Sequence, residues 1–323
     1  MRRFDTISVI LPVYNGLPLL KESVESVLSQ TLYNFRLLIA DDCSNDGSWE
    51  YLLSLRDNRI RLTRNEKNQG LFENLNILLR QVDTELIHLW SQDDIMLPYC
   101  LEKTLEFHNK YPHTAYTFSK FLIINGEGKV IRENAINKND LISPEGHAIS
   151  SLIAGSMPGN IATVSFKKKD IKEHGLFNAN LKYSGDFDMW ARLSENRPVG
   201  IIQEHLIKLR AHPEQLSRKP SMWIYRLKEN YDIFNIFLNR VSASKLKYVI
   251  KGLNWRVYTQ YFSLLIHLFL NGKWKLAFKY GKELSKQRNI VGIWGRWMVI
   301  NLVRLVGKEK EVYQKIYYNK LNK

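Results

Sequence analysis

From Ile7 the chain reads Ile-Ser-Val-Ile-Leu, a β-branched run closed by Pro12 and the turn pair Asn15-Gly16. That pattern predicts a buried strand followed by a turn. Pro18 suits the first turn of a helix, and Leu19, Leu20, Val24, Val27 and Leu28 then recur at helical spacing as far as Gln30. Phe35 to Ala40 is apolar again and gives way to Asp41-Asp42-Cys43-Ser44-Asn45-Asp46-Gly47-Ser48, a composition suited to a loop and a helix N-cap. Trp49 to Leu55 and Leu71 to Leu79 read as helices, Ile60 to Leu62 and Glu85 to Trp90 as strands. Strand and helix alternating in this way predict an α/β fold with a parallel sheet covered on both faces. Such sheets bind ligands beyond the carboxyl ends of their strands, and two of those ends carry acid pairs, Asp41-Asp42 and Asp93-Asp94.

Beyond Pro98 the periodicity predicts a helix to about Asn109, then a hairpin, with Ala115–Ile124 and Lys129–Arg132 flanking Asn125-Gly126-Glu127-Gly128. Ser156 to Asn160 is rich in turn formers, Gly185 to Leu193 reads as a short helix, and Ile201 to Leu209 as a last strand. From Met222 onward the pattern is helical, basic and aromatic, with few breakers. We place the domain boundary at 220/221.

Charge sharpens that division. The net charge is +15, yet residues 1–220 hold 27 basic and 27 acidic side chains, while 221–323 hold 20 Lys/Arg against 5 Asp/Glu. A basic surface attracts anions: nucleic acid, anionic lipid or a phosphorylated substrate. A hydrophobic share of 45% speaks against wholesale disorder. Cys43 and Cys100 have no metal-clip or disulfide spacing and read as reduced structural thiols, as in a cytosolic protein. The apolar run after Met1-Arg2-Arg3 is too short for a signal peptide, and no window reaches 18 uninterrupted apolar residues.

Four segments, in order, resemble the inverting family-2 glycosyltransferases of the GT-A fold: Ile10-Leu11-Pro12-Val13-Tyr14-Asn15; Leu28–Thr31 with Leu38–Ser48; Asn68-Gln69-Gly70; and Leu89–Pro98. The resemblance covers Ile7 to Ser217. It implies a GT-A three-layer α/β sandwich over 1–220 with a helical extension over 221–323. It further implies a metal-dependent, hexosyltransferase-type transfer from a nucleotide diphosphate sugar, with a UDP-sugar as the expected donor.

By that resemblance Asp42 accepts a hydrogen bond from a uracil N–H and Pro12 and Tyr14 line the base pocket, with Asn15, Asn68, Gly70 and Gln92 completing the nucleotide site. The alternative is that Asp41 and Asp42 simply cap the helix that follows. Asp93, Asp94 and His212 are the ligands expected for a divalent metal, Mn²⁺ or Mg²⁺, which takes hard oxygen donors and steadies the leaving diphosphate. Ser91 stands where the family carries its first acid. Asp186 matches the catalytic base, with Gly185 in place of the family's Glu; its rival reading is a partner for a helix N-terminus. Gly159 and Asn160 fall in the acceptor loop, and Asp188, Trp190 and Arg210, the last near Pro213 and Ser217, in the acceptor and lid region.

The implied acceptor is a glycan or lipid-linked hydroxyl in cell-envelope polysaccharide synthesis. The basic tail, with Trp223, Trp255, Trp274, Trp294 and Trp297 among its cations, fits an amphipathic surface lying on an anionic membrane at the cytoplasmic face. It equally fits a helical subdomain packing its aromatics inward; no nucleic-acid motif appears. Two other functions compete: an inactive sugar-nucleotide-binding scaffold, and a nucleotidyltransferase, which would need a Gly-rich basic loop that Pro12–Pro18 does not offer.

Overall fold

The structure, a computed structural model, describes residues 4–134, 139–212, 215 and 218–318. These fall into two compact units. The first comprises Met1–Ser143, Pro158–Asn180 and Asp188–Pro213; the second comprises Pro144–Met157, Leu181–Phe187 and Glu214–Lys323.

The first unit is built on a mixed ten-stranded sheet: β1 (Ile7–Val13), β2 (Phe35–Asp41), β3 (Ile60–Arg64), β4 (Leu86–Leu89), β5 (Ile95–Met96), β6 (Tyr116–Ile124), β7 (Val130–Glu133), β8 (Leu141–Ile142), β9 (Val164–Lys167) and β10 (Val199–Arg210). The order is β3-β2-β1-β4-β9-β6-β10-β5, with β7 beside β6 and β8 beside β10. β1 to β4 pair in parallel, as the alternation predicts. β1 and β2 are almost wholly apolar and buried, the composition of a strand covered on both faces. Helices α1 (Leu19–Leu28), α2 (Ser48–Ser54), α3 (Leu71–Gln81), α4 (Cys100–Lys110) and α6 (Lys168–His174) belong to this unit. The core gathers Val9, Leu11, Val24, Leu37, Ile39 and Leu101.

Sequence pattern alone misses β9, which runs antiparallel between β4 and β6. Its four residues, Val-Ser-Phe-Lys, are too few for a clear period. This inserted strand turns β6, and with it β10, back to the direction of β4. The carboxyl ends of β1, β2, β3, β4, β6 and β10 therefore all lie on one edge of the sheet.

The second unit is helical: α5 (Pro144–Ala154), α8 (Trp223–Leu238), α9 (Ala243–Leu270), α10 (Trp274–Gln287), α11 (Ile290–Leu305) and α12 (Glu309–Tyr313). α9 buries Val249, Leu253, Val257, Tyr261, Leu265 and Leu268, at helical spacing. Helix α7 (Gly185–Leu193) begins in this unit and ends in the sheet unit.

The expected boundary at 220/221 is thus corrected. α5 packs on α8 and α9, and Glu145 accepts from the Ser242 backbone N–H at 2.9 Å and pairs with Lys245 at 3.0 Å. Those hydrogen bonds hold the Glu145 carboxyl down at about 2. Leu181–Phe187 joins the same unit because Glu229 accepts the backbone N–H groups of Lys182, Tyr183 and Ser184 at 2.9, 3.0 and 2.7 Å. Neither tie leaves a local sequence signal.

Gly200 in β10 has no room for a side chain, since a Cβ there would lie 2.5 Å from Phe107 Cε1 and 2.8 Å from Thr117 Cγ2. Gly200→Ala is expected to lower stability by about 1–3 kcal/mol, read as a lower midpoint in urea unfolding.

Candidate active site

At the shared edge the loops after β1 and β2 are stitched together. The Asn15 backbone N–H donates to Ser44 Oγ at 2.9 Å, and Asn15 Oδ1 accepts from the Asn45 N–H at 2.9 Å. The Gly16 N–H donates to Ser48 Oγ at 3.0 Å and the Leu17 N–H to Asp46 Oδ2 at 2.9 Å. Gln92, from the loop after β4, pairs its amide with both backbone groups of Tyr14, at 2.8 and 3.0 Å. Gly16 leaves room for it, since a Cβ there would sit 2.9 Å from Gln92 Oε1 and push that amide aside. Gln92 therefore braces the β1 loop through both ends of its amide. Pro12 is buried, whereas Tyr14 is 48% exposed at the strand tip.

Asp42 is buried, and its carboxylate accepts from Asn65 Nδ2 at 2.7 Å, the Gln69 N–H at 2.8 Å and the Gly70 N–H at 2.9 Å. It fastens the β3–α3 loop to the end of β2. Gly70 sits at φ 82°, a left-handed conformation that other residues adopt at a cost, and exposed Asn68 accepts its N–H at 3.0 Å. The reading in which Asp41 and Asp42 cap α2 fails: Asp46 accepts the Ser48 N–H at 3.0 Å instead. Asp41 accepts from the Ser44 N–H at 3.1 Å and faces Arg64 at 3.4 Å, while its Oδ1 is buried with no partner.

After β4, helix α1 holds the loop in shape. Ser23 Oγ donates to the Ser91 carbonyl at 2.8 Å and accepts from Trp90 Nε1 at 2.8 Å, and Ser26 Oγ accepts the Met96 N–H at 3.0 Å. That frame presents Asp93 outward and Asp94 inward. Asp93 Oδ2 lies 2.9 Å from His212 Nε2, both side chains partly exposed, and Ser91 Oγ donates to Asp93 Oδ1. Asp94 Oδ1 accepts the Arg210 N–H at 2.8 Å, and Oδ2 lies 3.5 Å from Asn160 Nδ2. Burial, reinforced by the charge of Asp93, pushes the Asp94 carboxyl well above the usual range. Among the described residues no three His, Cys, Asp or Glu side chains gather as a metal set. The open pair Asp93–His212 fits a cation that completes its shell with substrate oxygens.

Arg210, at the end of β10, is the fastener. Its buried guanidinium donates to the Asp93 carbonyl at 3.1 Å, to the Gly126 carbonyl of the β6–β7 turn at 2.9 Å, and to the Glu22 carboxylate on α1. Gly159, at φ 75°, and Asn160, which caps Ala162 at 2.9 Å, lie in the loop that reaches Asp94.

Other expected site residues are placed elsewhere. Trp190 is corrected to a core residue: it is 0% exposed and packs against Tyr116 and Phe177, with ring centroids at 5.1 and 6.3 Å. An indole enclosed by aromatic rings cannot meet an acceptor. Asp188 pairs with Arg192 one turn on, at 2.9 Å, which braces α7. Pro213 and Ser217 lie outside the described residues. Asp186 sits in the first turn of α7, in the helical unit, and retains some exposure. Crowding by protein desolvates it, and the charge of Glu229 adds to that effect. Together they outweigh the backbone N–H groups that favour its ionised form, and the carboxyl is raised from 3.8 to about 6. Glu229, Asn65, Glu22 and Ser23 escape sequence reasoning, since each acts on residues far away along the chain.

The mixed α/β sheet, with acids and a histidine at its carboxyl edge, resembles the GT-A fold. Residues 8–168 match Glycosyl transferase family 2, and the chain belongs to that family. It is 29% identical over 217 residues to an uncharacterized glycosyltransferase of Rickettsia conorii, covering 67% of this chain. This chain spans only 35% of that protein's length. It is 28% identical to an uncharacterized glycosyltransferase of Haemophilus influenzae, over 67% of this chain and 69% of the other. Among solved structures, S. aureus TarS 1-349 in complex with UDP-GlcNAc superposes with a TM-score of 0.65 at 17% identity, over 98% of this chain and 90% of that one.

Arg210→Met would remove the donor to the Asp93 and Gly126 carbonyls and the partner of the exposed Glu22 carboxylate. It is expected to cost about 1–3 kcal/mol and to lower the thermal midpoint by several degrees.

Proposed function

We propose that this chain carries out inverting transfer of a sugar from a UDP-sugar to a hydroxyl of a glycan or lipid-linked acceptor, in the assembly of a cell-envelope polysaccharide. The observation that carries the reading is the convergence of Asp42, Asp93, His212 and Arg210 on one sheet edge. A carboxylate offers about four acceptor sites; three protein donors fall on Asp42, which leaves one for a base N–H. Exposed Tyr14 offers a ring face to the base. Asp93 and His212 would hold a divalent cation, Mn²⁺ or Mg²⁺, which when bound stabilises charge on the leaving diphosphate. The UDP-GlcNAc complex of the TarS fragment supports a uridine donor.

Asp186 is the base in this scheme. It removes the acceptor hydroxyl proton as the oxygen attacks the anomeric carbon, and a carboxylate tuned to about 6 is ionised yet basic at neutral pH. The Asp186→Asn protein is expected to bind UDP as the parent does and to lose transfer by at least about a hundredfold. Transfer at the parent rate would remove Asp186 from this role.

Two further outcomes check the scheme. Below pH 6 the base is protonated, so kcat/KM is expected to fall with decreasing pH through an apparent pKa of about 6. Because the folded pKa lies above 3.8, ionising this group costs stability as the pH rises from 3.8 through about 6. Asp186→Asn is therefore expected to melt no lower than the parent at neutral pH. Calorimetry with UDP, GDP, dTDP and CDP, each with and without Mn²⁺, should show UDP binding tightest and Mn²⁺ strengthening it. Absence of binding by every nucleotide would overturn the assignment.

A further inference from the structure

Helix α11 is apolar on two sides. One side packs inward: Ile293 and Ile300 are buried, and Trp297 donates its Nε1–H to Ser263 of α9 at 2.8 Å while its ring meets Phe262 at 5.6 Å. The other side carries Val291, Trp294, Met298, Leu302 and Leu305, exposed by 68, 51, 40, 59 and 84%. Their steps of three and four residues set all five on a single stripe along the helix. Single exposed apolar residues are ordinary, but a continuous stripe of large ones marks a binding surface.

Helix α10 repeats the theme with charge added. It buries Ala277, Tyr280 and Leu284 and exposes Trp274 and Phe278 beside the exposed Lys275, Lys279 and Lys282. The 221–323 segment that contains both helices has 20 basic and 5 acidic side chains.

We propose that the exposed stripe of α11, with the Trp-Lys-Phe-Lys face of α10, is a docking surface for an anionic lipid membrane. Tryptophan, phenylalanine and leucine enter the headgroup boundary, and lysine stems keep their ammonium groups at the phosphate level. Each cation near an anionic leaflet adds to the attraction. The helices lie on such a surface rather than cross it. No helix among the described residues is long and apolar enough to span a bilayer, and α11, at 16 residues, extends about 24 Å against a hydrocarbon core of about 30 Å. A second protein copy would also cover an apolar stripe, but residues 221–323 carry 20 basic and 5 acidic side chains, so two copies repel each other. The net positive charge selects the anionic partner.

The test is sedimentation of the full chain with phosphatidylcholine vesicles, with and without phosphatidylglycerol. Binding is expected only to the anionic vesicles, weakening as salt rises. A protein carrying Trp294→Ser, Leu302→Ser and Leu305→Ser is expected to bind at least about tenfold more weakly with an unchanged melting temperature, because these side chains are exposed in the free fold. Calorimetric UDP binding by this variant should match the parent, which separates the docking surface from the donor site. No sedimentation of the parent at low salt, or equal binding by parent and variant, overturns the proposal. So does a concentration-dependent oligomer in analytical ultracentrifugation that the same three substitutions abolish, since the stripe would then be a self-association face.

Discussion

The candidate site depends on one buried guanidinium. Arg210 reaches from the end of β10 to the Asp93 carbonyl, the β6–β7 turn and Glu22 on α1, while its own N–H satisfies Asp94. A rigid, permanently charged fork suits this task, because it meets several fixed acceptors in one plane. The tie works only because β9 enters antiparallel and returns β6 and β10 to the direction of β4. Without that inversion, the end of β10 and the loop after β4 would emerge on opposite edges.

The rest of the edge follows the same economy of satisfied groups. Asp42, Gln92, Asn15 and Asp46 each spend side-chain oxygens on backbone N–H groups of neighbouring loops, so the loops are ordered before any donor arrives. Pre-ordering spares the entropy that a flexible site loses on binding. The two acids of the Asp93-Asp94 pair are separated by environment. One stays at the surface beside His212, and the other is buried against Arg210 and Asn160. A single sequence motif thus yields one side chain at the surface and one built into the packed loop.

The helical unit shows the same separation of surface and core. α11 sends Ile293 and Ile300 inward and leaves a second apolar stripe outside, which its own fold does not use. In the same unit, crowding and the nearby Glu229 charge raise the Asp186 carboxyl to about 6.

The amino-acid order by itself determined the β1–β4 alternation, the Asn125–Gly128 hairpin, the long basic helices, and the placing of acids at strand tips, because each rests on local period or turn chemistry. The family resemblance also named Asp93, Arg210 and His212, which the fold brings to one edge. The amino-acid order could not reveal β9, too short for a period, nor that α5 and Leu181–Phe187 pack with the distant C-terminal helices. It grouped Trp190 with the lid, although burial makes it core, and it set Asp94 beside Asp93 as a ligand, although Asp94 is buried against Arg210 and Asn160. Those outcomes were decided by tertiary structure alone. Strand direction, burial and hydrogen bonds between residues far apart in the chain are properties of the packed molecule, and no local stretch of sequence carries them.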